Sequence, residues 1–259
     1  MLIQIYEIQT PREADALVAL GVDHIGSVVL SMDEWKIPQL ADTVRVVQES
    51  GAKSSMIPLF SDADTISRMI DYYKPDIVHF CEDISGRTGG PDVATRVAAI
   101  QERVKARFPE IDLMRSMPVA QAADDGDGTT QMGGMQSLLS LFEPVSEWFL
   151  TDTVMTAPDQ PVTGFVGITG ETCDWDVVAQ LIRATTVPVI LAGGISPENV
   201  YEGIVHTRPA GVDSCTRTNA VDGRGEVIRF QKDMAKVAHL VEEVRRAQHD
   251  LATPGNGGS

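Results

Sequence analysis

Positive charge is scarce in this chain relative to negative charge. Lysine and arginine number 21 against 37 aspartates and glutamates, for a formal net charge of −16. Lysine occurs only as Lys36, Lys53, Lys74, Lys105, Lys232 and Lys236. Such a surface repels the nucleic-acid backbone and the anionic face of a membrane, so neither is expected as a partner. A salt-adapted host, in which screening keeps an acidic surface soluble, and simple acidic drift both account for the excess. The three cysteines, Cys81, Cys173 and Cys215, are far apart and form no Cys-x-x-Cys, which argues against a disulfide framework or a zinc knuckle. No run of eighteen apolar residues occurs, and the N-terminal Met1-Leu-Ile-Gln-Ile-Tyr-Glu7 lacks the basic segment of a signal peptide. The expectation is a cytoplasmic protein without bound metal or cofactor. Nothing in the sequence sets an oligomeric state.

What is present is alternation of two kinds of segment. Residues 2–8 alternate with period two, placing Gln4, Tyr6 and Ile8 on one face of a strand and Ile3, Ile5 and Glu7 on the other. Further strands are expected over 23–30, 53–60, 76–81, 111–117, 147–152, 187–191 and 210–215. Helical patterns fall between them at 10–20, 38–49, 62–73, 91–108, 135–145 and 174–184, and another starts with Ser196 as N-cap and Pro197 at the first helical position. A long amphipathic pattern over 226–249, carrying Val227, Phe230, Met234, Val237, Leu240, Val241 and Val244, predicts a closing helix. Eight β-α units in about 250 residues make a single (β/α)8 barrel, with residues 1–250 as one domain and 251–259 as a disordered tail. Residues 118–134 lack periodicity and predict a mobile loop over the carboxyl ends of the strands. Asp124 to Gly128 within it reads as solvated loop, because no glutamate stands at the offset a calcium loop needs.

The run Val187-Pro-Val-Ile-Leu-Ala-Gly-Gly-Ile-Ser-Pro-Glu-Asn-Val200 organises the rest. A buried strand, a Gly193-Gly194 turn and a helix start leave backbone N–H groups facing outward, which is an anion site suited to phosphate. A second unit, Ala210-Gly-Val-Asp-Ser-Cys215 followed by Thr216-Arg217, adds a hydroxyl and a guanidinium at the next strand end. In such barrels the reacting groups lie at the carboxyl ends of strands. The inward candidates are therefore Tyr6 or Glu7, His79 and Cys81, Arg115, Asp152, Gly193 and Gly194, Asp213 and Cys215.

Leu-Ala-Gly-Gly-Ile-Ser-Pro-Glu-Asn-Val200, the Gly-Val-Asp strand after it and the upstream Gly167-Ile-Thr-Gly-Glu-Thr-Cys-Asp-Trp175 together resemble the phosphoribosylanthranilate isomerase family, most clearly over residues 149–230. The resemblance implies a phosphorylated sugar as substrate and an Amadori rearrangement of a ribosyl amine to a ribulose derivative. That chemistry needs an acid at the ring oxygen and a base at C2. It also implies that Asp152, in Leu-Thr-Asp-Thr153, is the acid, and that phosphate sits among Gly193, Gly194, Thr216 and Arg217, with Gly170 close by and Asp213 beside them. The family's cysteine base and the glycine after it are replaced here by Tyr6 and Glu7, leaving Glu7, Tyr6, Cys81 and His79 as base candidates. Lys36 stands near the family's carboxylate-binding arginine, and Arg115 is a further substrate-binding candidate. Alternatives are a phosphosugar aldolase or lyase, and a non-catalytic binder of a phosphorylated ligand.

Overall fold

The computed structural model describes residues 1–85, 92–122, 128–155 and 162–253, with the backbone alone for 128–131. Eight parallel strands close into a barrel in sequence order. They are β1 (Leu2–Ile5), β2 (His24–Val29), β3 (Lys53–Pro58), β4 (Ile77–Phe80), β5 (Asp112–Ala120), β6 (Trp148–Val154), β7 (Val189–Leu191) and β8 (Gly211–Ser214), and β8 returns to pair with β1. Around them lie α1 (Pro11–Ala19), α2 (Pro38–Glu49), α3 (Ala63–Tyr73), α4 (Asp92–Arg107), α5 (Gly128–Phe142), α6 (Trp175–Ala184), α7 (Val200–Thr207) and α8 (Met234–Ala252). Local chemistry starts these helices. Thr10, with Pro11 behind it, accepts from Glu13 N at 3.2 Å, Asp62 accepts from Thr65 N at 2.8 Å, and Asp233 accepts from the N–H groups of Ala235 and Lys236.

The apolar core is the layer between sheet and helices. Ile3 and Ile5 of β1, Val212 of β8, and Val237, Leu240 and Val244 of α8 are wholly buried together. On the far side Met56, Ile66, Met69, Val104 and Leu113 do the same. Each such aliphatic side chain contributes about 1.5–3 kcal/mol by leaving water. Inside the barrel the lining is more polar, with Gln4, Tyr6, His24, Ser55, His79, Ser116 and Asp213 all buried. Tyr6 lies across this interior because β2 offers a glycine there. A Cβ on Gly26 would meet the Tyr6 ring at 2.1 Å.

Three segments differ from the sequence expectation. Residues 226–233 are not helix: β9 (Asn219–Val221) and β10 (Val227–Lys232) form an antiparallel hairpin turning at Asp222 to Gly225, and α8 begins only after it. The apolar spacing of Val227 and Phe230 fits a helix, but the Asp-Gly-Arg-Gly run just before them encodes a tight turn. The 118–134 loop is shorter than expected. β5 pairs with β6 as far as Ala120, and α5 starts at Gly128 behind small residues that carry no period; residues 123–127 lie outside the described residues. Ser196 is not the helix cap. A turn intervenes, in which Ser196 Oγ accepts from Glu198 N at 3.2 Å and Asn199 Oδ1 accepts from Ser196 N at 2.8 Å, and α7 starts at Val200. At the far end α8 reaches Ala252, two residues past the expected domain limit, and 254–259 lie outside the described residues. Among the described residues no helix is long and apolar enough to cross a membrane.

Candidate active site

The carboxyl ends of the strands open onto one cleft. One wall is the turn after β7. Gly193 and Gly194 have φ of 87° and 63°, and a Cβ on either would strike Thr153 Oγ1 at 2.4 Å or the Glu171–Thr172 backbone at 2.6 Å. Thr153 Oγ1 in turn donates to Glu171 O at 2.6 Å, so the chain after β6 is pressed onto this turn. Across from it a 3₁₀ turn, Thr216–Thr218, follows β8. Arg217 Nε donates to Gly170 O at 2.7 Å, which leaves the rest of an exposed guanidinium over the cleft. Gly170, Gly193, Gly194, Thr216 and Arg217 all line it. Main-chain N–H groups, one hydroxyl and one guanidinium around a common space suit a phosphate dianion.

The opposite wall and floor are side chains. Asp152, at the end of β6, borders the cleft, and desolvation pushes its carboxyl up to about 7, against the opposing hydrogen bond from Ser116. Ser116 Oγ donates to Asp152 Oδ2 at 3.4 Å and meets His79 Nε2 at 2.8 Å; His79 Nδ1 lies 2.9 Å from the Tyr6 hydroxyl, which is 2.5 Å from Ser55 Oγ. Burial lowers His79 to about 3, so its ring is a neutral imidazole, and it raises the Tyr6 phenol well above its ordinary value. A second set runs from His24 Nδ1 to Gln4 Oε1 at 3.2 Å and from Gln4 Nε2 to Asp213 Oδ1 at 3.2 Å. Asp213 is pushed up to about 7, mainly by burial, with the charge of Asp152 adding to it.

Two expected substrate residues lie elsewhere. Arg115 points out of the barrel, wholly buried, ion-paired to Glu82 and with its guanidinium carbon 5.2 Å from the centre of the Phe142 ring of α5. Strand alternation puts its neighbour Ser116 inside. Lys36 does not line the cleft; its Nζ sits 4.7 Å above the Tyr72 ring. Glu7 faces inward only if the strand ends early, and it does: β1 stops at Ile5, Glu7 adopts φ 68°, and its side chain lines the cleft. There both carboxylate oxygens are engaged, one by Arg229 of β10 and the other by Asn219 Nδ2 at 3.3 Å. Cys81 lines the cleft as a thiol that burial raises well above its ordinary value.

Sequence reasoning passed over Ser55, Ser116, Gln4, Asn219 and Arg229. The two serines and Gln4 are polar residues at inward positions of apolar strands, a signal legible once register is known. Arg229 was hidden by the helix assignment. Among the described residues no group of three or more His, Cys, Asp or Glu side chains is placed to hold a metal ion.

With this geometry in view, the chain was compared with known proteins. The family described as N-(5'phosphoribosyl)anthranilate (PRA) isomerase matches residues 141–243. The N-(5'-phosphoribosyl)anthranilate isomerase 2 of Methanosarcina mazei is 35% identical over 256 residues, covering 97% of this chain and 96% of that protein. The N-(5'-phosphoribosyl)anthranilate isomerase of Methanosarcina acetivorans is 27% identical over 257 residues, covering 94% and 92%. The solved structure of N-(5'-phosphoribosyl)anthranilate isomerase from Pyrococcus furiosus superposes with a TM-score of 0.67 at 18% identity, covering 95% of this chain and 99% of that one, a likeness of fold.

Proposed function

This chain belongs to the N-(5'-phosphoribosyl)anthranilate isomerase family, and on that premise we propose that it isomerises a phosphoribosyl amine by an aldose-to-ketose, Amadori-type rearrangement. The observation that carries the reading is the placement of Asp152. A carboxyl group pushed up to about 7 faces the same cleft as the Gly193–Gly194 turn and Arg217. At neutral pH about half of such a group is protonated, which suits a general acid for the sugar-ring oxygen. The phosphate end of the substrate rests on the β7–β8 wall, and this fixes the ribose over Asp152. The chain's strong negative charge makes Arg217 the local attractor for a dianion. Glu7 is committed to Arg229, and Cys81 is held as a thiol, so neither serves as the base.

Turnover of phosphoribosylanthranilate by the purified protein, followed by its fluorescence, tests this. Asp152→Asn is expected to lower kcat about 10³-fold while inorganic phosphate still competes for the cleft. No turnover by the unmodified chain, or full turnover by Asp152→Asn, would overturn it.

A further inference from the structure

The hydrogen bonds inside the barrel do more than fill polar valences. Tyr6, His79, Ser116 and Asp152 form one continuous chain from the residue after β1 through β4, β5 and β6, with links of 2.9, 2.8 and 3.4 Å. Ser55 anchors its far end at 2.5 Å. Both ends, Tyr6 and Asp152, border the cleft. We propose that this chain is a proton relay, in which Tyr6 takes the C2 proton of the substrate and Asp152 is its final acceptor. The inference rests on the isomerase reading above.

Ser116 donates to Asp152, and the relay assigns the other three links the same direction: Ser55 to the Tyr6 oxygen, Tyr6 to His79 Nδ1, and His79 Nε2–H to Ser116, which leaves one lone pair of the Tyr6 oxygen for the substrate. A phenol is by itself a poor base at neutral pH, and burial makes this one poorer. Coupling removes the difficulty, because Tyr6 loses its own proton as it gains another and no phenolate accumulates. A neutral imidazole suits the middle of such a chain, since it accepts at one nitrogen while it donates at the other.

The steps balance. Protonated Asp152 gives its proton to the ring oxygen; the bond from C1 to that oxygen breaks with its electron pair going to oxygen, and the amine nitrogen's pair forms C1=N⁺. Asp152 is now a carboxylate. The C2 proton passes to Tyr6, the C2–H pair forms C1=C2, and the nitrogen recovers its pair to give the enolamine. Protons shift from Tyr6 to His79, from His79 to Ser116 and from Ser116 to Asp152. As the enolamine becomes the ketone, the reverse shift delivers a proton through Tyr6 to C1, water takes the proton of the C2 hydroxyl, and the original His79 tautomer is restored. Asp152 then regains a proton from water. One carboxyl group thus acts as acid directly and as base through the relay.

The test compares Tyr6→Phe, His79→Gln, Ser116→Ala and Asp213→Asn with the unmodified protein, using phosphoribosylanthranilate with hydrogen or deuterium at C2. Tyr6→Phe and His79→Gln are expected to lose kcat by about 10²-fold or more with KM within about threefold, and to show a larger C2 isotope effect. A purely structural role would change KM or folding and leave the isotope effect unmoved. Tyr6→Phe with kcat within about twofold of the parent, or an enlarged isotope effect confined to Asp213→Asn, would overturn the relay; the second result would make Asp213 the base. Nitrogen-15 NMR of the unmodified protein gives a reading independent of variants that fail to fold. His79 should be the neutral Nε2–H tautomer, with shifts that follow an ionisation near pH 7; a different tautomer, or shifts flat through that range, would overturn the proposal. If that NMR response is present and no turnover occurs, the isomerase reading and the substrate step assigned to Tyr6 both fail, and only the hydrogen-bonded chain remains.

Discussion

On the β7–β8 side of the cleft the ligand-facing surface is largely main chain, made available by Gly193 and Gly194 and backed by the loop after β6. Around the β1–β6 arc the surface is side chain upon side chain, from Tyr6 to Asp152. The family match over residues 141–243 covers the first region and reaches the second only at β6. A backbone cradle leaves few residue choices, because a Cβ at Gly194 collides with main chain that cannot rotate aside. A side-chain site can be rebuilt while the barrel stays the same, provided every buried polar group keeps a partner. Here Tyr6 stands where the family resemblance implies a cysteine, and Gly26, Ser55 and His79 accommodate it.

The comparison is broken most sharply by pH. If Asp152 must begin protonated, kcat should fall above about pH 7, approaching tenfold per unit, and His79, lowered to about 3, should add no limb between pH 5 and 8. A kcat flat to pH 9 would remove the acid from the side-chain region. The next largest effect belongs to the main-chain region. Gly194→Ala forces φ 63° on a residue with a Cβ and displaces the Glu171–Thr172 backbone, so KM should rise by roughly 30-fold and stability fall by about 1–3 kcal/mol in urea titrations. Arg217→Ala should raise KM by about tenfold, the worth of one exposed charge-assisted bond, with kcat unchanged and the effect shrinking in high salt.

A smaller effect separates Asp213 from the rest. Its folded value of about 7 stands above the ordinary 3.8, so the folded state binds the extra proton between those limits. The parent therefore loses stability as pH rises from about 4 through 7. Asp213→Asn should consequently gain Tm relative to the parent at pH 8, by about 2–8 °C, and little at pH 4. An equal difference at both pH values would count against its burial as a charge. Smallest on activity is Glu7→Gln, expected to keep kcat within about threefold while weakening the hold on β10, read as increased amide exchange across Val227–Lys232.

Barrel order was legible because a strand segment followed by a helical pattern recurs eight times, and the cleft's glycine wall was legible because the Gly193-Gly194 turn is followed one unit later by Thr216 and Arg217 at the next strand end. Arg115 shows the limit. Charge alone drew attention to it, but the face of β5 is set by pairing with β4 and β6, which brings Ser116 inward instead. Glu7 shows another, since strand alternation predicts its direction only while the strand lasts, and β1 ends two residues earlier. Lys36 was assigned by position after β2, and its stacking on Tyr72 of α3 depends on a contact no local pattern reports.

The bond between Glu7 and Arg229 joins residues 222 positions apart. During synthesis the first strand leaves the ribosome with this carboxylate in water, and it has no cationic partner until the hairpin after β8 has been made. Desolvating it earlier would bury an unpaired charge. Barrel closure is therefore coupled to the hairpin after β8, and a ribosome-bound nascent chain halted before Arg229 should stay open at the β1–β8 seam. Circular permutants that cut between β8 and β10 would move the same delay to a different stage of folding.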